Sequence, residues 1–157
     1  MASPLEGIKV LDLGIAVAAP FGASMLSDLG AEVIKVERVQ GEVTRLGLPA
    51  GIDDMLDTSE VGKIADKADW MAFNRGKKDL AIDIRSEKGL EVVLKLAKEA
   101  DIVIQSFRPT VAERLHVGYE DIKKINPFTL SMPDNHYWSV GENLGKAWGI
   151  GKTLKRK

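Results

Sequence analysis

Residues 11–38, LDLGIAVAAPFGASMLSDLGAEVIKVER, contain the pattern that decides the fold. An apolar segment at 8–13 predicts a strand, which runs into a turn of small residues. A helix is predicted from Pro20 to Leu29, because proline suits a first helical turn and Gly30 suits a helix exit. A second strand is predicted over Ala31–Glu37. Strand, helix and strand in this order indicate a βαβ unit with parallel strands and a right-handed crossover.

The parallel sheet is predicted to continue beyond this unit. Strands are expected at 79–84 and 101–107, and the second of these is apolar on both faces, as a strand covered by helices should be. Ser86 is a suitable N-cap for a helix to Ala100. Two short helices are expected, one after Pro109 and one over 119–125. The sequence therefore predicts an α/β fold, a mostly parallel sheet with helices on both faces.

Two segments lack this regular pattern. Residues 39–69 are rich in glycine and acids, and we expect a long excursion with one short helix there. After residue 127 the periodicity is lost, and a short strand at 128–132 is the one element expected in the tail. We therefore divide the chain into a domain at 1–127 and a divergent tail at 128–157.

Composition narrows the classes of function. The 157 residues have 45% apolar and 29% charged side chains and a formal net charge of -1, so there is no basic surplus of the kind that nucleic acid binding needs. Cysteine is absent, which excludes disulfides, thiolate zinc sites and cysteine nucleophiles, and no metal site is expected. Without a signal-peptide pattern or a membrane-spanning apolar run, we expect a cytoplasmic protein with no membrane association.

The turn at 14–20, GIAVAAP, lies where ligands bind in open α/β sheets, beyond the carboxyl end of a strand. The small side chains of Ala16, Ala18 and Ala19 would let a ligand approach the backbone, or they would simply pack the turn tightly against the next strand. Glu37 could accept a ribose hydroxyl, as in nicotinamide dinucleotide sites. The glycine fingerprint GxGxxG is absent, however, which disfavours such a site.

Cationic residues follow or flank several predicted strands. They are Arg38, Arg75, Lys77, Lys78, Arg85, Arg108 and Arg114. Guanidinium groups match phosphate geometry, so arginines that converge on one edge of the sheet would suit a ligand with several phosphates. The alternative is a set of surface cations balanced by neighbouring acids, and that applies most to Lys77 and Lys78.

Three segments in the right order, at 4–38, 74–89 and 100–127, resemble the N-terminal portion of family III CoA-transferases. This is the CaiB/BaiF group, which includes formyl-CoA transferase, carnitine CoA-transferase and α-methylacyl-CoA racemase. The resemblance implies a Rossmann-like fold, coenzyme A bound at the strand ends, acyl-CoA and a carboxylic acid as substrates, and an interlocked homodimer. This short chain is expected to be a monomer or a loose oligomer.

The resemblance also implies which residues contact CoA. They are Val17, Ala18, Arg38, Ile82, Asp83, Ile84, Arg85, Ser106, Phe107, Arg108 and Arg114. By position, Val17 and Ala18 would line the thioester end, and Arg38 would meet the adenosine phosphate region. The segment 82–85 would flank the adenine, 106–108 would form the next wall, and Arg114 would face the pyrophosphate.

The sequence departs from the family at individual positions in the third segment. Ser106 stands where many relatives have Asn, Thr110 where Gly is usual, and His116 where the family tends to have Gly. We expect Thr110 to restrict its loop, since the freedom of glycine at positive φ is lost. His116 could act as an acid or base, or simply cap a helix or lie in solvent.

The catalytic aspartate of the family lies beyond Asn126 and Pro127, where this chain has its divergent tail. In the family that carboxylate attacks the thioester, forms an acyl anhydride and then carries CoA as an aspartyl thioester. Asp134 is the nearest aspartate, but we expect it to lie in a turn, and no catalytic residue is assigned. The chain is therefore expected to be a truncated CoA-transferase that keeps part of the CoA site.

Two alternatives remain open at this point. A non-catalytic subunit could pair with another chain that supplies the aspartate. The tail aromatic residues Tyr137, Trp138 and Trp148 could then form an interface, although filling the open flank of the sheet is the use that we favour for them. Less in keeping with the sequence is an NAD(P)-dependent oxidoreductase domain, which would depend on Glu37.

Overall fold

The computed structural model describes residues 2–45, 68–127 and 130–133. Its strands form one five-stranded sheet in the order β3-β2-β1-β4-β5, and every neighbouring pair is parallel. The strands are β1 Lys9–Asp12, β2 Glu32–Glu37, β3 Lys78–Ala81, β4 Ile102–Gln105 and β5 Leu130–Pro133. The chain moves outward from β1 to β3 and then returns to the other side of β1. A topological switch point therefore lies between β1 and β4.

Five α-helices accompany the strands in the described ranges. They are α1 Ala18–Asp28, α2 Ala68–Asn74, α3 Glu87–Glu99, α4 Pro109–Arg114 and α5 Tyr119–Ile125, with a 3-10 turn at Val43–Arg45. The predicted βαβ unit is thus present as β1, α1 and β2. Helix α1 begins two residues before Pro20, which remains in the first turn, where no N–H has an intrahelical acceptor.

The helices cover both faces of the sheet, as predicted. On one face, α1 packs Ala19 and Ala23 against strand residues that include Val10 and Val33. On the other face, α3 and α5 pack on a second core. Its buried members are Leu11, Leu13, Val36, Val93, Ala97, Ala100, Val103, Val117 and Ile122. Because strand side chains alternate between faces, the apolar strands are buried on both sides.

The ends of two elements differ from the sequence predictions in a way that shapes the site. Ser86 caps α3 as predicted, with Oγ accepting the Gly89 N–H at 3.1 Å. The preceding strand ends at Ala81 instead of residue 84, because Asp83 forms a turn in which its Oδ1 accepts the Arg85 N–H at 3.0 Å. Residues 83–85 therefore follow the strand as a turn.

Helix α4 determines the backbone conformation at Thr110 and His116, two positions at which the family usually has glycine. Thr110 lies in the first turn of α4, and it is not among the described residues with positive φ, so the expectation that it restricts a loop is wrong. His116 has a φ of 56° directly after the helix. The Val117 N–H bonds the Ala112 carbonyl and the His116 N–H bonds the Glu113 carbonyl, both at 3.0 Å, which defines a Schellman motif. His116 occupies the left-handed position that favours glycine.

The region after residue 39 and the tail are described only in part. Helix α2 begins within the expected excursion and was not predicted in its observed position; residues 46–67 lie outside the described residues. Strand β5 overlaps the strand expected at 128–132 and pairs with β4. Asp134, Tyr137, Trp138 and Trp148 lie outside the described residues.

Candidate functional site

A cavity of about 430 Å³ opens at the carboxyl edge of the sheet. Segments that follow β1, β2, β3 and β4 all contribute to its wall, as expected for a ligand site beside a topological switch point. Apolar side chains form a large part of the lining: Leu13, Ile15, Val36, Ile84, Phe107, Val111 and Leu115. This is a size and composition suited to an organic ligand.

The structure brings together six of the predicted site residues around this cavity. They are Arg38, Asp83, Ile84, Arg85, Phe107 and Arg114. The remaining five are not part of its lining. Val17 and Ala18 lie at the start of α1, Ile82 packs against the core beneath the cavity, and Arg108 is exposed at the N-cap of α4. Ser106 Oγ bonds the backbone of Ile15.

The arginines give the cavity its charge. Arg38 and Arg114 have no ion-pair partner in the part of the chain that the structure describes, and Arg85 makes only a loose contact of 3.8 Å with Asp83. The acidic residues deeper in the lining are already paired: Glu37 with Arg45 at 2.7 Å and Glu42 with Lys35 at 2.8 Å. The rim therefore presents cationic groups that no acid neutralises closely.

The other cations proposed from the sequence do not join them. Arg75 pairs with Asp28, and Lys78 pairs with Glu32 at 2.6 Å. Arg75 precedes β3 and Lys78 is its first residue, whereas Arg85 follows the strand, so Arg75 and Lys78 lie toward the amino end of β3. The cations around this strand therefore do not all converge on one edge, and Lys78 follows the alternative of a surface cation balanced by an acid.

Lys77 is buried and has a structural role. Its Nζ lies 2.7 Å from Asp12 Oδ2 and also donates to the Pro20 carbonyl at 2.7 Å and to Asn74 Oδ1 at 3.0 Å. Burial lowers the pKa of Lys77, and the Asp12 carboxylate opposes that effect. The pair ties α1 and the segment before β3 to the end of β1.

Arg45 organises a second cluster beside the cavity. Its Nε donates to both oxygens of Glu37 at 2.9 Å, its Nη2 lies 2.8 Å from Asp79 Oδ2, and its guanidinium stacks 3.4 Å from the ring centroid of Trp70. Burial, followed by the nearby Glu37 carboxylate, raises the pKa of Asp79 to about 6. Because Arg45 already holds Glu37, this carboxylate is poorly placed to receive a ribose hydroxyl.

The turn between β1 and α1, formed by Gly14, Ile15 and Ala16, is held by side chains. The Gly14 N–H donates to Asp12 Oδ1 at 2.8 Å. Ser106 Oγ accepts the Ile15 N–H at 2.7 Å and donates to the Ile15 carbonyl at 3.3 Å. We call this three-residue segment the β1–α1 turn.

Lys35 and Glu42 also form hydrogen bonds with the β1–α1 turn, and neither contact was predicted from the sequence. Lys35 Nζ donates to the Gly14 carbonyl, and Glu42 Oε1 accepts the Ala16 N–H at 2.5 Å and the Thr44 hydroxyl at 3.3 Å. A signal was available for Lys35, because a lysine inside an apolar strand covered on both faces must find a buried partner.

Neither a metal centre nor a membrane span emerges from the described ranges. Within them, no three or more His, Cys, Asp or Glu side chains are grouped so that they could hold a metal ion. No helix there has the length and apolar character needed to cross a bilayer.

The fold and the cavity define an α/β protein with a cationic ligand cleft at the carboxyl ends of its strands. Residues 5–130 match the family model described as CoA-transferase family III. The chain therefore belongs to CoA-transferase family III, and the predicted family and the predicted Rossmann-like fold are confirmed.

Individual relatives agree with this assignment. The chain is 39% identical over 124 residues to an acyl-CoA transferase of Fusarium pseudograminearum, covering 78% of this chain and 26% of the relative. It is 34% identical over 139 residues to human succinyl-CoA:glutarate CoA-transferase, covering 88% and 29%. The chain thus spans about a quarter to a third of the length of these curated relatives.

Solved structures show the same likeness. A CaiB/BaiF family protein from Brucella suis superposes with a TM-score of 0.72 at 37% identity, covering 85% of this chain and 33% of that protein. A hypothetical protein from Mycobacterium tuberculosis gives a TM-score of 0.70 at 36% identity, covering 84% and 33%.

Proposed function

We propose that this chain forms the coenzyme A-binding domain of an enzyme that moves CoA between an acyl-CoA thioester and a carboxylic acid. Family membership supports the reaction class, because relatives bear names such as acetyl-CoA:oxalate CoA-transferase from Acetobacter aceti. The observation that carries the proposal is the meeting of Arg38, Arg85 and Arg114, from segments that follow three different strands, around one apolar cavity.

The chemistry of CoA matches this arrangement. CoA carries a ribose phosphate and a pyrophosphate beside an apolar adenine ring, and guanidinium groups form charge-assisted hydrogen bonds with such phosphates. We place the ribose phosphate at Arg38 and the pyrophosphate at Arg114. The adenine would lie between the 82–85 segment and Phe107, because Ile84 and Phe107 present apolar surface to the cavity.

The pantetheine arm would run from this cavity toward the start of α1. Val17 and Ala18 lie there, and the first N–H groups of a helix have no intrahelical acceptor, so they can bind a polar ligand atom. The described part of the chain offers no residue that we assign as the nucleophile. The reaction is therefore proposed for the complete transferase site, with a carboxylate supplied from outside the described residues, and the cytoplasm remains the predicted compartment.

Calorimetry can test the binding step directly. We expect CoA to bind and the affinity to fall as salt rises, because screening weakens exposed guanidinium–phosphate attraction. NADH should give no binding heat, since the glycine fingerprint is absent and Arg45 holds Glu37. Binding of NADH in preference to CoA would refute the proposed function and favour the oxidoreductase alternative.

A matched pair of variants locates the ligand. Arg38→Ala should weaken CoA binding about tenfold, the loss expected for one partly exposed charge-assisted contact. Lys78→Ala removes an exposed cation paired with Glu32 and should leave the affinity unchanged. Equal effects of the two substitutions would mean that CoA responds only to overall charge, and the assigned site would be wrong.

A further inference from the structure

The ion pair between Lys35 and Glu42 is buried in the floor of the cavity. Lys35 Nζ lies 2.8 Å from Glu42 Oε2, and the two side chains are 1% and 3% exposed. The contact is an ion pair without a well-directed hydrogen bond, since Oε2 has no hydrogen-bond donor aimed at it. Apolar residues of similar volume are often as stable in such places, so fold stability alone does not account for the pair.

Each member of the pair also forms a hydrogen bond with the same short segment. Lys35 donates to the carbonyl of Gly14, and Glu42 accepts the N–H of Ala16. The two charged side chains thus bind the β1–α1 turn at both of its ends. Their mutual attraction fixes the distance between these two points of contact.

The turn needs such support because of its backbone conformation. Ala16 has a φ of 62°, in the left-handed region that an alanine adopts at an energetic cost. Residues held in such conformations persist only where surrounding contacts determine them, and they cluster at functional sites. The conformation of Ala16 sets the direction in which the chain enters α1 at Val17 and Ala18.

We propose that Lys35 and Glu42 form a positioning pair, which holds the β1–α1 turn so that the Val17–Ala18 backbone faces the thioester end of CoA. This rests on the proposed function. The pair acts through the backbone of the turn, whereas the arginines of the same cavity would bind the adenosine phosphates. Its loss should therefore affect the two ends of the ligand unequally.

The double variant Lys35→Met/Glu42→Leu tests this inference, because it removes both charges and both contacts with the turn while keeping similar side-chain volumes. The dissociation constant for acetyl-CoA should rise about tenfold, the loss expected when a polar contact with the thioester end is broken. Binding of adenosine 3′,5′-bisphosphate, which lacks the pantetheine arm, should change less than about twofold. An equal loss for both ligands, or no loss for acetyl-CoA, overturns the inference.

The control is Lys78→Met/Glu32→Leu, which makes the same changes in an exposed pair between the starts of β3 and β2. It should leave both affinities unchanged. Should the first variant fail to fold, Lys35→Met/Glu42→Gln removes the ion pair and the contact with Gly14 but keeps an oxygen that can accept the Ala16 N–H. A smaller loss, still confined to acetyl-CoA, is expected, and an equal loss for both ligands contradicts the pair's role.

Amide hydrogen exchange without ligand separates failure of this inference from failure of the proposed function. In the Lys35→Met/Glu42→Leu variant the Ala16 amide should exchange at least about tenfold faster, whereas the Val103 amide in the core strand should be unaffected. Unchanged exchange at Ala16 would overturn the positioning role even if CoA binds. If acetyl-CoA fails to bind the unmodified chain while Ala16 exchange responds, only the proposed function is refuted.

Discussion

Substitution of Asp79 by Asn should change the pH dependence of stability in a definite direction. The pKa of Asp79 is raised from its ordinary value of 3.8 to about 6, chiefly by burial and then by the Glu37 carboxylate, against the opposing effect of Arg45. A carboxyl whose folded-state pKa is raised binds its proton more tightly in the folded chain. Its contribution therefore favours folding at low pH and is lost as the pH rises from about 4 to about 6.

The size of the effect follows from these values. A difference of about 2 in pKa corresponds to about 3 kcal/mol of unfavourable free energy when Asp79 is ionised. The side chain is 31% exposed, so solvent screening reduces this, and we expect about 1 kcal/mol. Asp79→Asn should thus raise the free energy of unfolding by about 1 kcal/mol at pH 7.5, where the ionised carboxylate no longer opposes folding.

Urea unfolding at a series of pH values would measure this difference. The variant and the original chain should converge as the pH falls below 4, because Asp79 is then neutral in both folded and unfolded states. Asp83→Asn offers a comparison at an exposed aspartate in the turn after β3. The opposite result would be a stability difference, Asp79→Asn minus the original chain, that is smaller at pH 7.5 than at pH 5. It would show that the attraction of Asp79 to Arg45 outweighs the effects of burial and of the Glu37 carboxylate.

Three further predictions concern the fold and the assembly. His116→Gly should raise the free energy of unfolding by about 0.5–1 kcal/mol, because glycine tolerates the left-handed position of the Schellman motif; thermal melting would measure this, and a lower melting temperature would contradict it. Lys77→Met should lower the free energy of unfolding by about 3–5 kcal/mol, because it leaves the charge of the buried Asp12 carboxylate without a partner. In urea unfolding, Lys77→Met/Asp12→Asn should recover part of this loss. If it recovers nothing, the loss of the ion pair is not the cause. Light scattering should find a monomer or a loose oligomer, and a tightly entwined dimer would refute this expectation. The purified chain should show no detectable transfer of CoA between acids, and robust turnover would refute that expectation.

The sequence was sufficient for the parts of the fold that depend on local patterns. Pro20 and Gly30 predicted the position of α1, and Ser86 predicted the start of α3, because each of these residues acts on its own segment of backbone. The meeting of Arg38, Arg85 and Arg114 followed from a general property of parallel sheets, whose carboxyl strand ends share one edge.

The remaining features depend on contacts between distant residues. Lys78 follows the alternative of a surface cation balanced by an acid, but its partner Glu32 lies on another strand and could not be identified from the sequence. In an alanine-rich turn, the sequence does not indicate that Ala16 adopts the left-handed conformation. The partner of Lys35 lies seven residues further along, outside any strand, so no periodicity indicated that Glu42 would reach back to the turn.

The most direct test of the account compares CoA with 3′-dephospho-CoA in calorimetric titrations of the original chain and Arg38→Ala. We predict that the original chain binds CoA about tenfold more tightly than dephospho-CoA, and that Arg38→Ala abolishes this difference by weakening only CoA. If Arg38→Ala weakens both ligands equally, or neither, the cationic rim does not bind the ribose phosphate, and the assignment of this cavity to coenzyme A is contradicted.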